Sequence, residues 1–129
     1  TQTSRFKAAV TGAGTVEHAV RWGNLSMGYD ANRLGGVPWE AESNYNAEAA
    51  MWQIAKVTTP THIVTGAEDT NVPNFEAYWL ERALQTRGVP HTLLIFPGED
   101  HPLDKNPWHA KIKVREELRW LAKYGRESP

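Results

Sequence analysis

The stretch "THIVTGAEDTNVPNFEAYWLERALQTRGVPHTLLIFPGEDH", residues 61–101, decides the fold. Two apolar runs, 61–66 and 91–96, bracket a helical pattern, and each leads into a loop holding a residue suited to acid/base work: Asp69 in the first, His101 in the second. Continuous rather than alternating apolarity over so few residues suits strands buried on both faces, as in a parallel sheet covered by helices. Between them, residues 74–87 place Phe75, Tyr78, Trp79 and Ala83 on one helical face. Asn74 is a candidate cap for this helix, and Gly88 followed by Pro90 ends it.

Working outward, residues 107–124 form a second helical pattern, with Asn106 and Pro107 as cap and first position and Ala110, Val114, Leu118 and Leu121 as the expected inward stripe. Towards the amino terminus, "AAVTGAG" (8–14) reads as a third buried strand. Residues 15–58 are less regular: "LGGVPW" (34–39) is a turn-rich loop, and "AEAAMWQIAK" (47–56) reads as a short helix. The order is strand, irregular helical excursion, strand, helix, strand, helix. That alternation predicts an open α/β sheet of three parallel strands with flanking helices.

In such a sheet, binding and catalytic groups gather at the carboxyl ends of the strands. Asp69 and His101 follow successive strands, so both project from one edge of the sheet, and neighbouring strands lie roughly 5 Å apart. A neutral imidazole accepts a hydroxyl proton efficiently only when its other nitrogen is held in the right tautomer. A buried carboxylate does this and also stabilises the imidazolium that forms. Asp69 is thus the candidate orienter and His101 the candidate base. Taken singly, each also has a plain structural reading, Asp69 as a turn cap and His101 as a polar loop residue.

Fourteen Lys and Arg against fifteen Asp and Glu leave a net charge of −1, which offers no electrostatic footprint for nucleic acid or an anionic membrane. No cysteine is present, which excludes disulfides, thiolate metal sites and cysteine nucleophiles while leaving the compartment open. The sequence has no apolar run long enough to span a membrane as a helix. His101, Asp104 and His109, with Glu99 and Asp100 nearby, match no zinc spacing and are read as structural. "GAGTVE" (12–17) lacks the third glycine of a dinucleotide fingerprint and the Lys-Ser/Thr of a P-loop. No cofactor is implied.

The stretch from "VTGAEDTNVP" to "FPGEDH" resembles the end of the catalytic domain of the prolyl oligopeptidase family of serine peptidases, which includes dipeptidyl peptidases and acylaminoacyl peptidases. In that family a strand ends in a Gly-x-x-Asp-x-x-Val-type loop, a helix ends near "RGV", and a strand leads to the catalytic histidine. "RFKAAVTGAG" resembles the strand after the nucleophile helix, and "LGGVPWEAESNY" the loop before the next strand, so the resemblance covers nearly the whole chain. It implies the carboxyl-terminal portion of an α/β-hydrolase fold, with Asp69 and His101 as two members of a Ser-Asp-His triad. It further implies that Asn71 and Val72 face a peptide substrate, that "GTVEHAVRW" (14–22) is a loop of the specificity pocket, and that His18 stands near the position where a pocket aromatic is common in the family. Trp22 is a candidate border of that pocket.

The nucleophile elbow requires Gly-x-Ser-x-Gly, and this chain does not contain it. Its serines are Ser4, Ser26, Ser43 and Ser128, and "GNLSMG" (23–28) places one residue too many before Ser26. The family's elbow precedes the segment resembling "TQTSRFKAAV", so the serine is expected upstream of Thr1 and the chain reads as one incomplete domain of a peptidase. An esterase of the same fold and a non-catalytic piece or assembly module are the alternatives. With strands absent beside the first one, an unpaired edge and exposed helix faces are expected, and with them association with the missing part of the protein or with a second copy.

Overall fold

The computed structural model describes residues 3–24 and 27–125. In chain order the elements are β1 (Ala9–Gly12), α1 (His18–Trp22), α2 (Met27–Leu34), α3 (Glu42–Glu48), a 3₁₀ helix (Ala50–Lys56), β2 (Thr61–Gly66), α4 (Asn74–Thr86), β3 (His91–Phe96) and α5 (Pro107–Tyr124). The three strands form one sheet in the order β1-β2-β3. Both pairings are parallel, with Ile63 in register with Thr11 and Leu93, and Val64 with Gly12 and Leu94. Three parallel strands with flanking helices are what the apolar runs predict, although β1 is shorter than the run that announces it.

All six residues of β2 are buried, because the central strand is covered on both faces. Alternation splits its side chains between two clusters. Ile63 packs with Ala77 and Leu84 of α4 and with Val89, joined by Ile54, Val57, Leu80 and Leu93. Val64 faces the other way, with Phe96, Leu103, Leu94 and Ile112. A third cluster, Leu34, Ala41 and Tyr45 with Ala19 and Trp22, holds the excursion between β1 and β2 together.

The helix ends follow their sequence signals closely. Asn106 caps α5 by accepting the Trp108 N–H at 3.0 Å. At the end of α4, Gly88 takes a φ of 67°, and the Gly88 and Val89 N–H groups donate back to Gln85 and Leu84 carbonyls, each at 3.0 Å. That Schellman pattern needs the left-handed conformation glycine adopts without a Cβ penalty. Asn74, by contrast, does not cap α4: it is the first helical residue, and its side-chain amide donates to the Ala67 carbonyl instead.

Two expected apolar faces turn the other way. On α4 the buried residues are Glu76, Ala77 and Leu84, whereas Phe75 and Tyr78 are exposed. On α5 the residues Ala110, Val114, Leu118 and Leu121 are exposed, and the helix instead buries Trp120 against the sheet. Trp120 stacks on His62 and donates its indole N–H to the Pro60 carbonyl, while His109 stacks on Phe96. The helix carries apolar groups on two faces. Three strands cover one of them, and the large rings with a polar partner within reach occupy it. The excursion also differs from its expected form. Helix α3 stops at Glu48, Ala49 is extended, and the following turns are 3₁₀, so residues 47–56 are not one helix.

His62 is 4% exposed, and its Nδ1 meets the Thr92 hydroxyl at 2.5 Å, while its buried Nε2 has no hydrogen-bond partner among the described residues. Burial pushes its pKa below the ordinary histidine value. The unfolded chain therefore takes up a proton at His62 as pH falls through about 6.5, before the folded chain does. His62 thus contributes stability that is intact above about pH 6.5 and is lost as pH falls below it. Urea midpoints measured from pH 8 to 5 should fall less steeply for His62→Gln than for the parent, and equal slopes would contradict this assignment.

Candidate active site

The loop after β2 turns back at Gly66 and delivers Asp69 with its side chain fully buried. Its Oδ1 accepts the N–H groups of Asn71 at 3.0 Å and Val72 at 2.9 Å, and its Oδ2 lies 2.9 Å from His101 Nδ1. These donors keep a buried carboxylate satisfied and fix its orientation. The His101 side chain is 38% exposed, which leaves the Nε2 side of the ring as the one to meet a reacting group. The two residues read from adjacent strand ends therefore touch. An imidazole whose Nδ1–H is held by a buried carboxylate is built to take a proton at Nε2.

The loops touch through backbone as well. The Glu68 N–H donates to the Glu99 carbonyl at 2.9 Å, and Asp100 Oδ1 accepts the Thr70 N–H at 3.3 Å and the His101 N–H at 2.8 Å. Those two amides hold the Asp100 carboxyl below its ordinary range. The approach is so close that a Cβ on Gly66 would lie 2.3 Å from the Glu99 carbonyl oxygen. Glycine is the residue this contact admits.

Asn71 and Val72 belong to the turn that orients Asp69, Asn71 partly exposed and Val72 buried. Residues 14–22, expected as a loop, end in the short helix α1. His18 Nδ1 stands 3.4 Å from Asp30 Oδ1, which also takes Arg21 at 3.1 Å, and Trp22 meets Trp39 edge to face. The Asn24 side-chain amide donates to the Thr70 carbonyl, which brings the excursion against the aspartate loop. Ser26 and Ser128 lie outside the described residues. Among the described residues, no cluster of His, Asp and Glu is arranged to hold a metal ion; His109 instead bonds to Glu99 at 2.8 Å.

Sequence reasoning missed two buried carboxylates that place the excursion. Glu76 of α4 is fully buried, and its Oε2 accepts the Val16 N–H at 2.6 Å and the Glu17 N–H at 3.0 Å. Burial pushes its pKa up, against the opposing pull of those two amides. Glu17 caps α1 through the Ala19 N–H and accepts the Trp52 indole N–H at 2.7 Å. The one signal available was an acidic residue interrupting an apolar helical stretch, which more often marks a solvated position.

A carboxylate and an imidazole joined across the carboxyl ends of neighbouring parallel strands, beneath helices on both faces, define the chain as part of an α/β-hydrolase fold. The fold of acylaminoacyl peptidase from Pyrococcus horikoshii agrees with a TM-score of 0.90 at 18% identity, over 99% of this chain and 22% of that one. A puromycin-hydrolyzing peptidase of Mycobacterium tuberculosis agrees with a TM-score of 0.85 at 21% identity, over 95% of this chain and 19% of that one. The chain belongs to the prolyl oligopeptidase family, whose profile it matches over residues 1–127. It is 30% identical over 122 residues to dipeptidyl-peptidase 5 of Aspergillus fumigatus, an alignment spanning 93% of this chain and 17% of that protein. Over 63 residues it is 36% identical to the acylamino-acid-releasing enzyme of Arabidopsis thaliana, 49% of this chain and 8% of that protein.

Because Gly66 admits no side chain, Gly66→Ala should lower stability by about 1–3 kcal/mol, the usual cost of overpacking. It should also weaken the low-field Nδ1 proton resonance of His101. Urea denaturation and proton NMR test this, and parent-like values in both would show that the loops are less tightly abutted than described.

Proposed function

We propose that these 129 residues are the carboxyl-terminal part of the catalytic domain of a serine peptidase, contributing the acid/base half of its machinery. The observation that carries this reading is the 2.9 Å contact between His101 Nδ1 and the buried Oδ2 of Asp69. The nucleophile would be a serine outside this chain, on its amino-terminal side in the parent protein. The sequence contains no Gly-x-Ser-x-Gly, and the chain spans about a sixth of the first curated relatives it matches, 17% of dipeptidyl-peptidase 5.

In this mechanism the serine Oγ attacks the scissile carbonyl while His101 Nε2 takes its proton. Asp69 stabilises the resulting imidazolium without itself becoming protonated. His101 then passes the proton to the leaving amine, and water resolves the acyl-enzyme with the same imidazole as base. Asn71 and Val72, in the turn that grips Asp69, would border the bound substrate, and the α1 region with His18 and Trp22 would form part of its pocket. The names of the relatives, dipeptidyl-peptidase and acylamino-acid-releasing enzyme, favour short peptides as substrates.

The rest of the parent protein, or a second copy of this chain, would cover what is left open. Among the described residues, β1 pairs on one side only, and the exposed stripe Val114, Leu118 and Leu121 runs along α5. An apolar helix face of this kind, close to an unpaired sheet edge, favours association.

In the complete protein, Asp69→Asn should lower kcat by about 10⁴-fold, the loss that accompanies a mis-set histidine tautomer. His101→Ala should do so at least as severely. Turnover of aminoacyl amides against simple esters is the assay: full activity in His101→Ala would refute the reading, and activity on esters alone would favour an esterase. The chain expressed alone should sediment as an oligomer, and Val114→Lys with Leu118→Lys should shift it towards the monomer; a monomeric parent chain would remove the case for association.

A further inference from the structure

His101 stands in a loop that is held at both ends by one residue that is not part of the pair. Glu99 is fully buried. Its Oε1 accepts the Asn106 N–H at 2.9 Å and the His109 Nδ1–H at 2.8 Å, and its Oε2 accepts the Lys105 N–H at 3.1 Å. Its backbone carbonyl takes the Glu68 N–H from the aspartate loop. One residue thus bonds to the aspartate loop through its main chain and to the start of α5 through its side chain, with His101 between. His109 is fixed in turn by stacking on Phe96 at a centroid distance of 4.9 Å.

The loop needs such a hold. Leu103, a residue with a Cβ, adopts a left-handed φ of 56° while its side chain is buried with Val64 and Phe96. That conformation is costly outside glycine and persists only where the surroundings impose it. A carboxylate at the amino terminus of α5 also lies where the helix dipole favours negative charge. Burial alone would push the Glu99 carboxyl up; the His109, Lys105 and Asn106 donors outweigh it and hold the group below its ordinary range, so it stays ionised at neutral pH.

We propose that Glu99 and His109 are a positioning pair that holds the residue 97–106 loop in the shape that brings His101 to Asp69. The inference rests on His101 being the proton-transferring base. Glu99 is fully buried, and the His109 ring is engaged by Glu99 and Phe96. Their loss therefore moves the imidazole rather than removing a binding contact, and a misplacement of about 1 Å at a reacting group costs about 10²-fold in rate.

The test is the pH dependence of kcat and kcat/KM in the complete protein for Glu99→Ala, Glu99→Gln, His109→Phe and His101→Ala. In Glu99→Ala, kcat should fall by about 10²-fold with KM little changed. The acid limb of kcat/KM should shift as well, because the contact that orients the imidazole is weakened. Glu99→Gln keeps one acceptor oxygen and should recover part of the rate. His109→Phe keeps the ring on Phe96 and deletes the donor, so it should show the same acid-limb shift in milder form, and it decides the matter if Glu99→Ala fails to fold. Variants that lose thermal stability but keep the parent kcat and pH profile would overturn the proposal. Should His101→Ala retain full activity, the reading of His101 itself fails, which is a separate outcome from parent-like Glu99 and His109 variants beside an inactive His101→Ala.

Discussion

The structure turns on one carboxylate removed from water. Asp69 has its side chain fully buried and is matched by two backbone amides and one imidazole. A buried carboxylate without such donors would be costly enough to force protonation or expulsion. With them, the charge fixes its own loop through Asn71 and Val72 and draws in the loop of the next strand through His101. The tolerance is narrow because Gly66 lets the Glu99 carbonyl pass where any side chain would stand. Sheet spacing brings the loops close; the charge makes closeness specific.

The same solution recurs around the excursion. Glu76 receives the Val16 and Glu17 amides, Glu17 receives Ala19 and Trp52, and Asp30 takes Arg21 with His18 close by. Among the described residues, the segment between β1 and β2 is built of short helical pieces, three α-helices and a 3₁₀ helix, joined by turns. It is held by acidic side chains that reach across to its backbone or to basic groups. Asn24, which donates to the Thr70 carbonyl, carries that order over to the aspartate loop.

The strands, their parallel arrangement and the Asp69–His101 contact were legible because each rests on a local signal. Runs such as HTLLIF report burial on two faces, and the spacing from a strand end reports a loop position. Direction was not legible in the helices. On α5 a stripe at Ala110, Val114, Leu118 and Leu121 has the right period, yet it points outward, because periodicity states that a face exists and not which neighbour it meets. The buried carboxylates Glu76 and Glu99 were illegible for a related reason: their donors come from segments distant in sequence or from a turn whose shape depends on the fold. Residues 47–56 failed locally, since nothing in AEAAMWQIAK marks Ala49 as the break between α and 3₁₀ turns.

The unit β2–α4–β3 contains within residues 61–96 the cluster formed by Ile63, Ala77, Leu80, Leu84, Val89 and Leu93, to which Ile54 and Val57 are added from outside. Its parallel pairing closes over a single short crossover, so little chain entropy opposes it, whereas β1 must wait for an excursion of nearly fifty residues to be threaded back. Asp69 lies inside that unit and His101 just beyond it. The order of events that topology favours is therefore one in which β2–α4–β3 forms early as a nascent seed carrying Asp69, and the contact with His101 closes only when α5 docks and draws the residue 97–106 loop into shape.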